Sequence, residues 1–223
     1  MHLSQRMQGP NPPHFTLDKQ MRCLRLRSRD PGIVVLDPGI TAYTPSRLLL
    51  GTSVRAIDHC VETAYSLQSN ETGDRAAVAG LKLLVPALLK YKRDPSDFGA
   101  IGHQLGPLGV SHGETSCILL PAACVFNASG AANVQRQQRL ARELLSYPEL
   151  TDLAQDGKES LAELLELLIR AMELPRTLKE LEIGRDVFDL DAEYTLSDMC
   201  AKTNPVLLGR KKNVLEILEM VAE

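Results

Sequence analysis

The sequence has no CxxC pair among its five cysteines, no surplus of either charge and no internal repeat. It also has no apolar run approaching the roughly 18 residues that a membrane span needs. Each absence excludes something. Five cysteines, Cys23, Cys60, Cys117, Cys124 and Cys200, leave one unpaired in any disulfide framework, so a reducing compartment is expected. With 25 basic against 28 acidic residues and a net charge of -3, nothing global draws the chain to nucleic acid or to an acidic membrane. The arginines at 22, 25, 27 and 29 and the "GRKK" at 209–212 do not change that balance. The opening "MHLSQRMQGPNPPHF" carries no apolar signal core, and a cytoplasmic location is expected.

What is present is enough apolar matter for a core: 44% of 223 residues. Residues 1–29 read as a flexible, proline-containing leader, in which "RCLRLRSR" alternates loosely at strand period. Ile33 to Leu36 reads as a buried strand closed by Asp37, Pro38 and Gly39. Everything beyond it reads as helix. Val54, Ile57, Val61 and Ala64 share one helical face, and so do Val78, Leu81, Val85 and Leu88, although Pro86 predicts a kink or two helices there. "QRQQRLARELLSYPEL" gives another amphipathic helix. Ser160 with Glu163 is a capping box before the stripe Leu161, Leu164, Leu165 and Leu168, with Pro175 as the expected stop. Val214, Ile217, Leu218 and Val221 form the inner face of the last helix. The fold class expected is therefore mainly α, a helical bundle with a short β remnant at its start.

Two places can carry chemistry. Residues 100–121, "AIGHQLGPLGVSHGETSCILLP", set His103 and His112 around a glycine-rich turn and read as a site loop between helices. Arg55, His59 and Glu62 stand at i, i+4 and i+7 of one helix and share a face, with Asp58 off that face as a surface charge. His59 can ligate a metal or move a proton, and Arg55 can hold a carboxylate by paired hydrogen bonds.

The order "VVLDPGIT", "GTSVRAIDHCVETAYS", "HQLGPLGVSHGETSCILLPAACVFNA", "LPRTLKELEI" and "TNPVLLGRKKNVLEILEMV" resembles the C-terminal helical half of the iron-containing alcohol dehydrogenase superfamily. "HGETSCILLP" is closer to the form found in maleylacetate reductases than to that of the metal-dependent alcohol dehydrogenases. The resemblance divides the chain into 1–29, leader and remnant of a dinucleotide-binding domain, and 30–223, a helical domain of the dehydroquinate-synthase and iron-alcohol-dehydrogenase kind. It implies an NAD(P)H-dependent reductase acting on a C=C or C=O bond near a carboxylate, so the expected partner is a small carboxylate or carbonyl compound.

The same resemblance implies the site roles: His103 as proton donor, His59 and His112 lining the pocket, and Arg55 on the substrate carboxylate. Metal-dependent members carry an aspartate where this chain has Arg55 and a histidine where it has Gly99, leaving His59 and His112 as vestigial ligand positions. A bound metal is therefore not expected. No GxGxxG or GGGS-type phosphate loop occurs in the sequence, which leaves the cofactor-binding residues unassigned. The segments around "DPSDF" and "GAIGHQ" are fused where family members carry a further helix, an apparent internal deletion that exposes apolar surface. Two readings follow: an enzyme of reduced or no activity alone, or a non-catalytic helical remnant that associates with itself or with a full-length homologue.

Overall fold

The computed structural model describes residues 43–94, 113–154, 157, 159–197 and 200–223. The leader, Ile33 to Leu36, Gly99, His103 and His112 lie outside these residues. Among the described residues there are helices and no strand, as a mainly α chain requires. No helix among them is long and apolar enough to cross a membrane.

Helix α1, Ser46–Tyr65, and helix α2, Glu71–Arg93, pack on each other. Asn70 starts α2 by accepting the Gly73 backbone N–H at 3.0 Å, which satisfies one of the donors that a helix start leaves free. Pro86 does not divide α2: Glu71–Arg93 is one helix. Leu81, Leu84, Val85 and Leu88 are buried on both sides of the proline, and their packing holds the axis together. Lys82, whose carbonyl loses its helix donor to the proline ring, is exposed, so water can meet that carbonyl.

Helix α3, Gly113–Asn127, begins inside the stretch that the sequence reads as a site loop. Its apolar residues look both ways. Cys117, Leu120 and Cys124 enter the main core with α1, α2 and the leucines of α6, while Ile118, Ala122 and Phe126 enter a second core. A helix apolar on several sides is stable only when neighbours cover it, and this one lies between two layers. Around it stand α4, Ala131–Leu144, the single turn α5, Pro148–Thr151, and α6, Leu161–Ala171.

The capping box of α6 is present in full. Leu161, Leu164, Leu165 and Leu168 are all inside the core. The helix stops before Pro175, because Glu173 takes a left-handed φ of 57° and the Leu174 N–H turns back to the Ile169 carbonyl at 3.3 Å. Helix α7, Phe188–Ser197, and helix α8, Lys211–Met220, complete the second core, with Val214, Ile217, Leu218 and Val221 buried as the periodicity predicts.

Candidate functional site

The middle of α1 carries the polar groups. Val54, Ile57 and Val61 bury one stripe, which leaves Arg55, His59 and Glu62 on the opposite side of α1. Asp58 departs from the expected surface charge: its side chain is only 8% exposed. Arg55 holds it there. Arg55 Nη1 donates to Asp58 Oδ2 at 2.6 Å and to Ser116 Oγ of α3 at 3.0 Å. Three side chains from two helices thus meet at one guanidinium nitrogen. Burial pushes the Asp58 carboxyl upward, while Ser116 and Arg55 pull it back toward the ionised form.

His59 keeps 43% of its side chain exposed and stands with Nδ1 3.7 Å from Glu62 Oε2. Burial and the neighbouring Arg55 cation lower its pKa, against the opposite pull of Asp58. Glu62 is pushed up to about 7, first by desolvation and then by the Asp58 charge. Half of its side chain meets solvent, which tempers that desolvation. Glu62 also borders a cavity of about 280 Å³ shared with Tyr65, Asp191 and Asn204. At the other end of the face, the starts of α1 and α3 frame a pocket of about 290 Å³ where Arg47 pairs with Glu114 at 2.7 Å.

The structure therefore places Arg55 and His59 on one face and adds two residues, Asp58 and Ser116. The i, i+3 spacing of Arg55 and Asp58 is a signal in the sequence that favours their pairing. Nothing local points to Ser116, which lies 61 residues away and reaches Arg55 only through the packing of α3 on α1. His103 and His112 lie outside the described residues, so their distances to His59 are not part of this geometry.

A divalent cation does not fit the donor set that the described residues offer at this face. Arg55 brings a permanent positive charge, and it already occupies the carboxylate of Asp58. The cysteines nearest by sequence are held as thiols: burial pushes Cys117 up to about 12 and raises Cys60 and Cys124 as well.

The family model described as Fe-containing alcohol dehydrogenase family, C-terminal, matches residues 98–222. Dehydrogenase ALT3 of Alternaria alternata is 34% identical over 83% of this chain and 60% of its own length. Dehydrogenase FUM7 of Gibberella moniliformis is 32% identical over 92% of this chain and 58% of its own length. This chain thus spans less than two thirds of either relative. Among solved structures, maleylacetate reductase from Agrobacterium tumefaciens superposes with a TM-score of 0.62 at 22% identity, over 83% of this chain and 55% of that one. That likeness concerns the fold alone. With its helical architecture, its ordered motifs and more than half its length matched, the chain belongs to the iron-containing alcohol dehydrogenase family, of which it carries the C-terminal helical part.

Proposed function

We propose that the chain provides the helical half of an NADH- or NADPH-dependent oxidoreductase of the maleylacetate reductase or iron-type alcohol dehydrogenase kind, reducing a C=C or C=O bond close to a carboxylate. The observation that supports this reading is the family match over residues 98–222. The nicotinamide, when bound, supplies the hydride. Among the described residues no glycine-rich phosphate loop occurs, and none of them is assigned to the dinucleotide.

The chain's own residues bind, orient and protonate. The atom that would carry the negative charge after hydride transfer, the carbonyl oxygen or the carbon beside the carboxylate, would take a proton from a side chain of this chain. His103 is the proton donor in this reading, with His59 and His112 lining the pocket and Arg55 holding the substrate carboxylate. The roles of His103 and His112 rest on the family resemblance. The lowered pKa of His59 supports the division of labour, because a neutral imidazole serves better as a hydrogen-bonding wall than as the acid.

The test is consumption of NADH and NADPH by the purified chain, followed by nicotinamide absorbance, with maleylacetate and with simple aldehydes as substrates. Slow oxidation that prefers the carboxylate-bearing substrate and is lost in His103→Gln is expected. Oxidation that prefers the simple aldehydes, or that survives His103→Gln unchanged, overturns the reading.

A further inference from the structure

Among the described residues, Arg55 is held at one end and unpartnered along one edge. Both interactions of its guanidinium come from Nη1, at 2.6 Å to Asp58 Oδ2 and 3.0 Å to Ser116 Oγ. Among the described residues neither Nε nor Nη2 makes a hydrogen bond or an ion pair. In a guanidinium the Nε–H and one Nη2–H are parallel and lie on the same side, opposite to the Nη1 group. Their spacing matches the two oxygens of a carboxylate. The Arg55 side chain is 29% exposed, whereas that of Asp58 is 8% exposed and Ser116 as a residue is 4% exposed. The anchored end thus meets two buried partners, and the Arg55 side chain as a whole keeps part of its surface in solvent.

We propose that the Nε–Nη2 edge of Arg55 is a two-point receptor for a carboxylate, with Asp58 and Ser116 as positioning residues that decide which edge of the guanidinium is offered. The proposal deepens the reductase reading by saying how the substrate's carboxylate is read, and as a binding site it stands whether or not hydride is transferred. Asp58 balances much of the charge of Arg55, so selectivity here comes from the shape of the fork more than from net charge. A planar anion with two oxygens satisfies both N–H groups together; a spherical anion satisfies them poorly. Asp58 and Ser116 also lower the cost of binding, because an arginine already held by two partners has less side-chain freedom to lose when a ligand arrives.

The probe is maleate, titrated into the purified chain by calorimetry without nicotinamide, beside its neutral dimethyl ester and chloride. Maleate binds, the ester does not, and chloride competes weakly. Arg55→Lys keeps the charge but loses the fork and weakens maleate by about tenfold or more. Ser116→Ala keeps the arginine and weakens maleate by a smaller factor, about threefold, as expected of a residue acting through another. In the unsubstituted chain the Nε–H resonance of Arg55 shifts on adding maleate, a readout that depends on no variant folding. Unchanged affinity in Arg55→Lys, equal binding of the ester, or a still Nε–H resonance overturns the receptor. Maleate binding beside NAD(P)H oxidation that survives His103→Gln unchanged keeps the receptor and overturns the reductase reading. Oxidation whose KM ignores Arg55→Lys does the reverse.

Discussion

Gly113 opens α3 directly against Gly51 of α1: a Cβ placed on Gly113 would lie 2.6 Å from the Gly51 carbonyl carbon and 2.7 Å from its oxygen. The relationship is one-sided. A Cβ on Gly51 would meet the Gly113 backbone only at 3.8 to 4.0 Å, which is ordinary contact. Gly113→Ala is therefore expected to lower stability by about 3 kcal/mol, since backbone and not a flexible side chain must give way. Gly51→Ala, inside a helix, is expected to be neutral or to add about 0.5 to 1 kcal/mol. Urea unfolding of the two variants checks the asymmetry, and equal effects would contradict the close crossing of α1 and α3.

The bonds of Arg55 to Asp58 and Ser116 tie the same two helices together one turn further along α1. Asp58→Ala leaves a half-buried guanidinium without its anion, at an expected cost of about 3 kcal/mol. Removing both charges in Arg55→Met with Asp58→Leu should cost clearly less than the two single changes added. A double-mutant cycle measures that coupling, and simple additivity would show that the pair contributes nothing jointly.

Glu62 gives the pH dependence its sign. With its folded pKa raised from 4.5 to about 7, the native chain keeps a proton that the unfolded chain has released, so stability falls as pH rises through that window. Half of the side chain is exposed, which makes the fall smaller than the shift alone implies. Glu62→Gln should flatten the loss of melting temperature between about pH 5 and about pH 8. An identical slope in the variant would place the titration elsewhere.

Glu163 works in the opposite direction. Its carboxylate accepts the Ser160 backbone N–H at 2.7 Å, and the Ser160 bonds hold its pKa below the usual value. The contribution of the cap is complete above pH 4.5 and is lost as pH falls through the lowered value. Ser160→Ala at neutral pH is expected to cost about 1 kcal/mol, read from denaturant unfolding.

The periodic apolar positions determined most of the helices by themselves, because a stripe at helical spacing can be buried only on one side and names its own inner face. Leu161, Leu164, Leu165 and Leu168 did so, as did Val214, Ile217, Leu218 and Val221, and Ser160 with Glu163 marked a helix start through contacts only three residues apart. Arg55 and His59 were legible as a shared face for the same reason. His103 and His112, legible as a pair around glycines, fall outside the described residues.

What local spacing could not decide was which neighbour covers a residue. Pro86 lies in an unbroken helix because the leucines on either side of it are packed against other elements. Residues from Gly113 onward pack as helix and not loop because Gly113, with no Cβ, can lie directly on the α1 backbone at Gly51. Asp58 is buried because Ser116, distant in sequence, arrives with α3 to share Arg55 with it. Short-range periodicity fixes a helix and its inner face; the burial of a charge depends on a partner brought from far along the chain, and only the tertiary structure supplies that.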